Sequence, residues 1–123
     1  MNGDIIKLEI PAKPDYIVAV RLTVSAVAQR AGFDIEDIED LKVAAAEACM
    51  LFLATEPDII SININVMNGV VIDFCAAGGA IGAANTDDEA ADLSRYLLEA
   101  LVDKCDFFKQ EDILQRISFS KKL

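Results

Sequence analysis

Residues 60–75 constrain the fold more than any other stretch. Ile60, Ile62, Ile64 and Val66 alternate with Ser61, Asn63 and Asn65. A period of two puts the aliphatic side chains on one face of a strand and the polar ones on the other. Asn68-Gly69 follows, a pair suited to a two-residue hairpin turn because both residues tolerate positive φ. Val70 to Cys75 is then the return strand, more uniformly apolar than the first. A hairpin with one aliphatic face needs a second layer to cover that face.

The flanking segments supply candidates for that layer. Residues 4–10 read as a short strand stopped by Pro11. Pro14 opens a helical segment from about Asp15 to Ala31, since a proline in the first turn costs no helical hydrogen bond. Its apolar stripe is Ile17, Val20, Val24, Val27 and Ala31, and Gly32 is placed to end it. Asp34 can cap a second helix, with Glu36, Asp37, Glu39 and Asp40 near the positive end of its dipole. Ile38, Leu41, Ala45, Ala48 and Phe52 form its apolar face, and it should end near Thr55, ahead of Pro57.

A third helix is expected from about Asp88 to Lys104, with Leu93, Leu97, Ala100 and Leu101 inward. Asp106 to Lys109 and Ile113 to Ser120 read as two closing strands around a turn at Gln110 to Asp112. The order β-α-α-β-β-α-β-β predicts an α/β (α+β) two-layer sandwich. In it a mixed, largely antiparallel sheet of about five strands carries three helices on one face. The loops are short and no linker divides residues 1–123, so one domain is expected.

Composition excludes several classes of function. The chain has 123 residues, of which 21 are acidic and 11 basic, for a formal charge of −10. Such a chain repels nucleic acid and anionic membranes, and neither is expected as a direct partner. There is no histidine, and Cys49, Cys75 and Cys105 are far apart. Structural zinc and histidine-based triads are therefore not expected, and reduced thiols are. The N-terminus lacks the pattern of a signal peptide, and no run reaches the ~18 apolar residues of a membrane span. The expected location is the cytoplasm.

Few residues offer chemistry by spacing. Glu47 lies beside the apolar stripe of the second helix, between Ala46 and Ala48. A half-buried glutamate there can act as a base, or can be an edge residue reaching solvent. Arg21 and Arg30 are cations on the first helix, with surface solubility as their plain role. Residues 76–87, with Gly78, Gly79 and Gly82, match neither established phosphate-binding glycine spacing. They read as a phosphate cradle or as a plain connection.

The run IPAKPDYIVAVRLTVSAVAQRAGFDIEDIEDLKVAAAEAC resembles the start of the anti-sigma-factor serine kinases, which are built on the histidine-kinase-like, or GHKL, ATPase domain. The segment LSRYLLEALVDKCDFFKQEDILQRISFSKKL resembles the same family's last helix and final strand pair. The resemblance implies ATP and magnesium as cofactors and a glutamate that activates the phosphoryl acceptor, matched here by Glu47. It also implies an asparagine on magnesium, an adenine-binding aspartate in a D-x-G motif, and a glycine turn before the last helix. Leu51 stands at the asparagine position, Ala76 and Gly78 at the D-x-G positions, and Asp92 and Ser94 at the turn glycines. Only Gly78 is kept among these, and the segment between Gly78 and Leu93 is short for a complete nucleotide lid.

The chain thus reads as a degenerate member of that family. Its expected function is non-catalytic regulation through a protein partner, such as a sigma factor or an anti-anti-sigma-like protein, with homodimerisation implied and no cofactor. The first alternative is an ATP-dependent serine kinase that uses Glu47. The second is a small-ligand module in a nucleotide pocket made more apolar by Leu51, Phe52 and Ala76.

Overall fold

The computed structural model describes residues 3–78, 88–111 and 113–123. The elements are β1 (Asp4–Pro11), α1 (Ile17–Ala31), α2 (Ile35–Leu53), β2 (Ile59–Val66), β3 (Gly69–Ala77), α3 (Asp88–Leu101), β4 (Lys104–Gln110) and β5 (Ile113–Lys122). A 3-10 turn at Pro14–Tyr16 leads into α1, so the proline precedes the α-helix proper.

The strands form one sheet in the order β1-β2-β3-β5-β4. The largely antiparallel sheet expected from sequence is antiparallel at every pairing. The topology explains this. The α1–α2 hairpin returns the chain to the end of the sheet that β1 left, so β2 runs opposite to β1. The single helix α3 leaves β4 running the same way as β3, but β5 folds back between them and separates the two.

Ile60, Ile62 and Ile64 of β2, Val70, Ile72 and Phe74 of β3, and Ile117 and Phe119 of β5 are buried. They meet Val20, Val24 and Ala28 of α1 and Leu41, Ala44, Ala45, Ala48, Cys49 and Phe52 of α2 in one core. Ala44, Ala45 and Ala48 on α2 are fully buried, which lets the helix lie close to its neighbours. Phe74 and Phe119 meet across β3 and β5 with ring centroids 5.5 Å apart. The opposite face of the sheet carries Asn63, Asn65 and an Arg116–Asp73 ion pair at 2.7 Å, with the Arg116 guanidinium also over the Phe108 ring.

The helix ends follow the sequence signals. Asp34 accepts a hydrogen bond from the Asp37 backbone N–H at 2.8 Å, and Gly32 takes the left-handed conformation at φ 106°. The β2–β3 turn is one residue longer than a two-residue turn. Val66 pairs with Val70, and both Asn68 and Gly69 have positive φ. A side chain on Gly69 would overlap the Lys121 backbone carbonyl.

Two expectations for α3 need correcting. The helix ends at Leu101, and Lys104 begins β4. Leu93 is 71% exposed and Ala100 is exposed, whereas Leu98 is fully buried. The inward stripe is therefore Leu98 with Leu101 and then Val102, which is about a third of a turn from the stripe predicted. With leucine at 93, 97, 98 and 101, two helical faces were nearly equal in apolar content, and packing against α2 selects between them. Lys121 of β5 fastens this corner. Its ammonium donates to the Leu101 carbonyl at 2.9 Å and lies 3.5 Å from Asp37 and 3.9 Å from Asp40 on α2.

Candidate functional site

The helix α2 presents Glu47 because Leu41, Ala44, Ala45, Ala48 and Phe52 hold its other face in the core. Glu47 is half-buried in an open groove of about 390 Å³. Arg21 of α1 and Glu39, Lys42, Val43, Ala46 and Met50 of α2 complete its lining. Lys42 donates to Glu39 at 3.0 Å, so that ammonium is already engaged. Two residues beyond Glu47, burial pushes the Cys49 thiol up to about 12. A thiol so disposed is not a thiolate nucleophile at neutral pH.

Leu51 is half-buried one turn after Glu47, and its side chain packs against the core. Ala76 also packs against the core, near the end of β3. It shares a small cleft of about 20 Å³ with Thr55, Pro57, Gly78, Ile113, Leu114 and Gln115. A space of that size holds about one water molecule. Thr55 is buried, with its hydroxyl donating to the Phe52 carbonyl at 2.8 Å. Gly78 has φ +76°, and a Cβ there would stand 2.5 Å from an Asp58 carboxylate oxygen. Glycine at this position thus has a steric reason that is independent of any ligand.

The structure brings Ala76 and Gly78 to one cleft and puts Glu47 in a separate groove. Ser94 is half-buried on α3 and lines neither. The remainder of the glycine-rich stretch and the short-lid expectation fall on residues 79–87, outside the described residues. Sequence reasoning missed Thr55 and Asp58 as neighbours of Ala76 and Gly78. Their only signal was position, in the turn between α2 and β2 opposite the end of β3. Among the described residues, no group of three or more Cys, Asp or Glu side chains is arranged to hold a metal ion. No helix among them is long and apolar enough to cross a membrane.

Comparison with known proteins gives this geometry a context. A family model described as a histidine kinase-like ATPase domain matches residues 10–54, from the end of β1 through α2. The serine-protein kinase RsbW of Bacillus pumilus is 56% identical over 46 residues, 37% of this chain and 28% of the relative. That of Bacillus subtilis is 50% identical over 48 residues, 39% of this chain and 30% of the relative. The chain thus spans less than a third of these relatives in the segment matched. The serine-protein kinase RsbW of Bacillus cereus strain G9842 is 32% identical over 125 aligned positions, 86% of this chain and 78% of the relative. The chain belongs to the RsbW-type serine-kinase family.

Within that family the strong match ends at α2, so it covers Glu47 and Leu51 but not Ala76, Gly78 or Ser94. At those three positions the correspondence is the one that the sequence resemblance implies. At the positions carried over for magnesium and for adenine, this RsbW-type chain presents an isobutyl group and a methyl group. Neither supplies an oxygen ligand or an acceptor for an amino group.

Proposed function

We propose that this RsbW-type domain is an anti-sigma-type regulator that acts by binding a protein partner and does not transfer a phosphoryl group. One observation carries this reading. Leu51 and Ala76, which stand where magnesium and adenine contacts would be required, are both packed against the core. ATP with magnesium does not fit these two side chains. A base amino group buried against Ala76 would be left without its acceptor, at a cost of about 1–3 kcal/mol. A magnesium ion beside Leu51 would lack one of its oxygen ligands. Ser94, which the resemblance puts in a glycine turn ahead of the last helix, lies inside α3 here, so its backbone is helical and forms no such turn. The partner the family resemblance points to is a sigma factor or an anti-anti-sigma-like protein, bound by a cytoplasmic domain that pairs with a second copy of itself.

A second reading has its own support. The relatives compared are all named serine-protein kinases, and Glu47 lines an open groove together with Arg21. On comparison alone, an ATP-dependent serine kinase is the better supported of the two. It requires metal and adenine contacts from other residues.

Incubation with labelled ATP, magnesium and a candidate partner protein separates the readings. The regulator forms a complex with the partner and transfers no label. Label on a partner serine, lost in Glu47→Ala, would reject the regulator and establish the kinase.

A further inference from the structure

The corner between α1 and α2 carries a second groove, distinct from the Glu47 groove and adjoining it at Glu39. It has a volume of about 760 Å³ and is lined by Ser25, Gln29, Phe33, Asp34, Ile35, Glu36, Ile38 and Glu39. Phe33 is buried and Ile38 half-buried, which gives the groove an apolar base. Ile35, the first residue of α2, is 80% exposed. The fold has no need of an aliphatic side chain there. Asp34 caps the helix through the Asp37 N–H, and Phe33 already supplies the buried anchor at this corner.

The rim of this groove is acidic. Asp34, Glu36 and Glu39 line it, and none of the lining residues is lysine or arginine. Glu39 is paired with Lys42 at the end shared with the neighbouring groove. Glu36 makes no ion pair among the described residues. The chain's charge of −10 adds a long-range field of the same sign. An exposed aliphatic residue over an apolar base, with carboxylates around it, complements a basic amphipathic segment.

We propose that this groove docks a basic amphipathic segment of a protein partner. One aliphatic side chain of the segment lies against Ile35 and Phe33, and its lysine or arginine side chains face Glu36 and Glu39. This deepens the partner-binding reading above and rests on it. The apolar contact fixes position, and the charge contacts set encounter rate and salt dependence.

The test titrates the ¹⁵N-labelled domain with a 14-residue peptide of lysine and leucine at helical spacing, and with its glutamate–leucine counterpart. The expected shifts for the basic peptide gather at Ser25, Gln29, Ile35 and Ile38, and the acidic peptide gives none. Ile35→Ser, which keeps the net charge, weakens binding about tenfold, the range for losing one buried aliphatic contact. Glu36→Gln weakens it several-fold, whereas Glu9→Gln on the exposed side of β1 leaves it within about twofold, as expected for a distant surface charge. Ile35 is so exposed that Ile35→Ser retains the fold, checked by its thermal melt. Shifts centred elsewhere, or equal binding by Ile35→Ser, overturn the groove and leave the regulator reading standing. Self-association abolished by Ile35→Ser assigns the groove to a second copy and overturns the proposal. Phosphoryl transfer from ATP rejects the regulator without moving the peptide shifts, so the two failures are distinguishable.

Discussion

At the scale of single residues, burial decides what the candidate groups can do. Cys49 is fully enclosed on α2, and the cost of placing a thiolate there holds its proton on up to about 12. Cys105 is pushed up to about 11, first by burial and then by the carboxylates of Asp106 and Glu99. Both thiols therefore titrate higher in the folded chain than in the unfolded one, whose ordinary value is 9.0. Their contribution to stability is complete below pH 9 and is lost as pH rises from there through 11 and 12. The urea midpoint should stay level from pH 7 to 8.5 and fall beyond pH 9, with a shallower fall in Cys49→Ala. A midpoint level to pH 10.5 would contradict this. Phe52, fully buried beneath the same helix, should cost about 3–5 kcal/mol as Phe52→Ala in urea unfolding. Leu51→Asn removes a half-buried contact and should cost about 1–2 kcal/mol in the same assay. It should confer no ATP binding alone, because Ala76 still lacks the second contact.

At the scale of elements, legibility tracked how far one pattern excluded its rivals. The β2–β3 hairpin was plain because the alternation of Ile60, Ile62 and Ile64 leaves only one face to bury. The start of α2 was equally plain, since an aspartate cap and an acidic first turn act locally. Asp34→Ala should lower stability by about 1 kcal/mol in thermal or urea unfolding. Gly69→Ala should cost more than an ordinary surface change, because the new methyl group meets the Lys121 carbonyl at a φ of +131°. The face of α3 was not legible. Its leucines fit two stripes, and only contact with α2 and the Lys121 clamp distinguishes them. The boundary between α3 and β4 was missed for a related reason. Lys104 suits a helix C-terminus by charge, but in the fold it pairs with Ser120 as a strand residue.

At the scale of the whole molecule, element order was enough to give the layered fold, and a family pattern along the chain was enough to give its kinship. The geometry of the site was less accessible. Glu47 and the pair Ala76–Gly78 belong to one motif scheme, yet among the described residues they line different grooves. That separation depends on how α2 lies across the sheet, which no local pattern encodes. The steric role of Gly78 against Asp58 was likewise invisible, because the two meet only when β3 pairs with β2. The fold of a serine-kinase family persists here, and we propose that packing groups stand where its nucleotide contacts would be. Isothermal titration of the intact chain with ATP and magnesium tests this most directly. No saturable heat is expected up to about 1 mM nucleotide, which corresponds to a binding free energy weaker than about −4 kcal/mol. Saturable, magnesium-dependent binding in the micromolar range would contradict it.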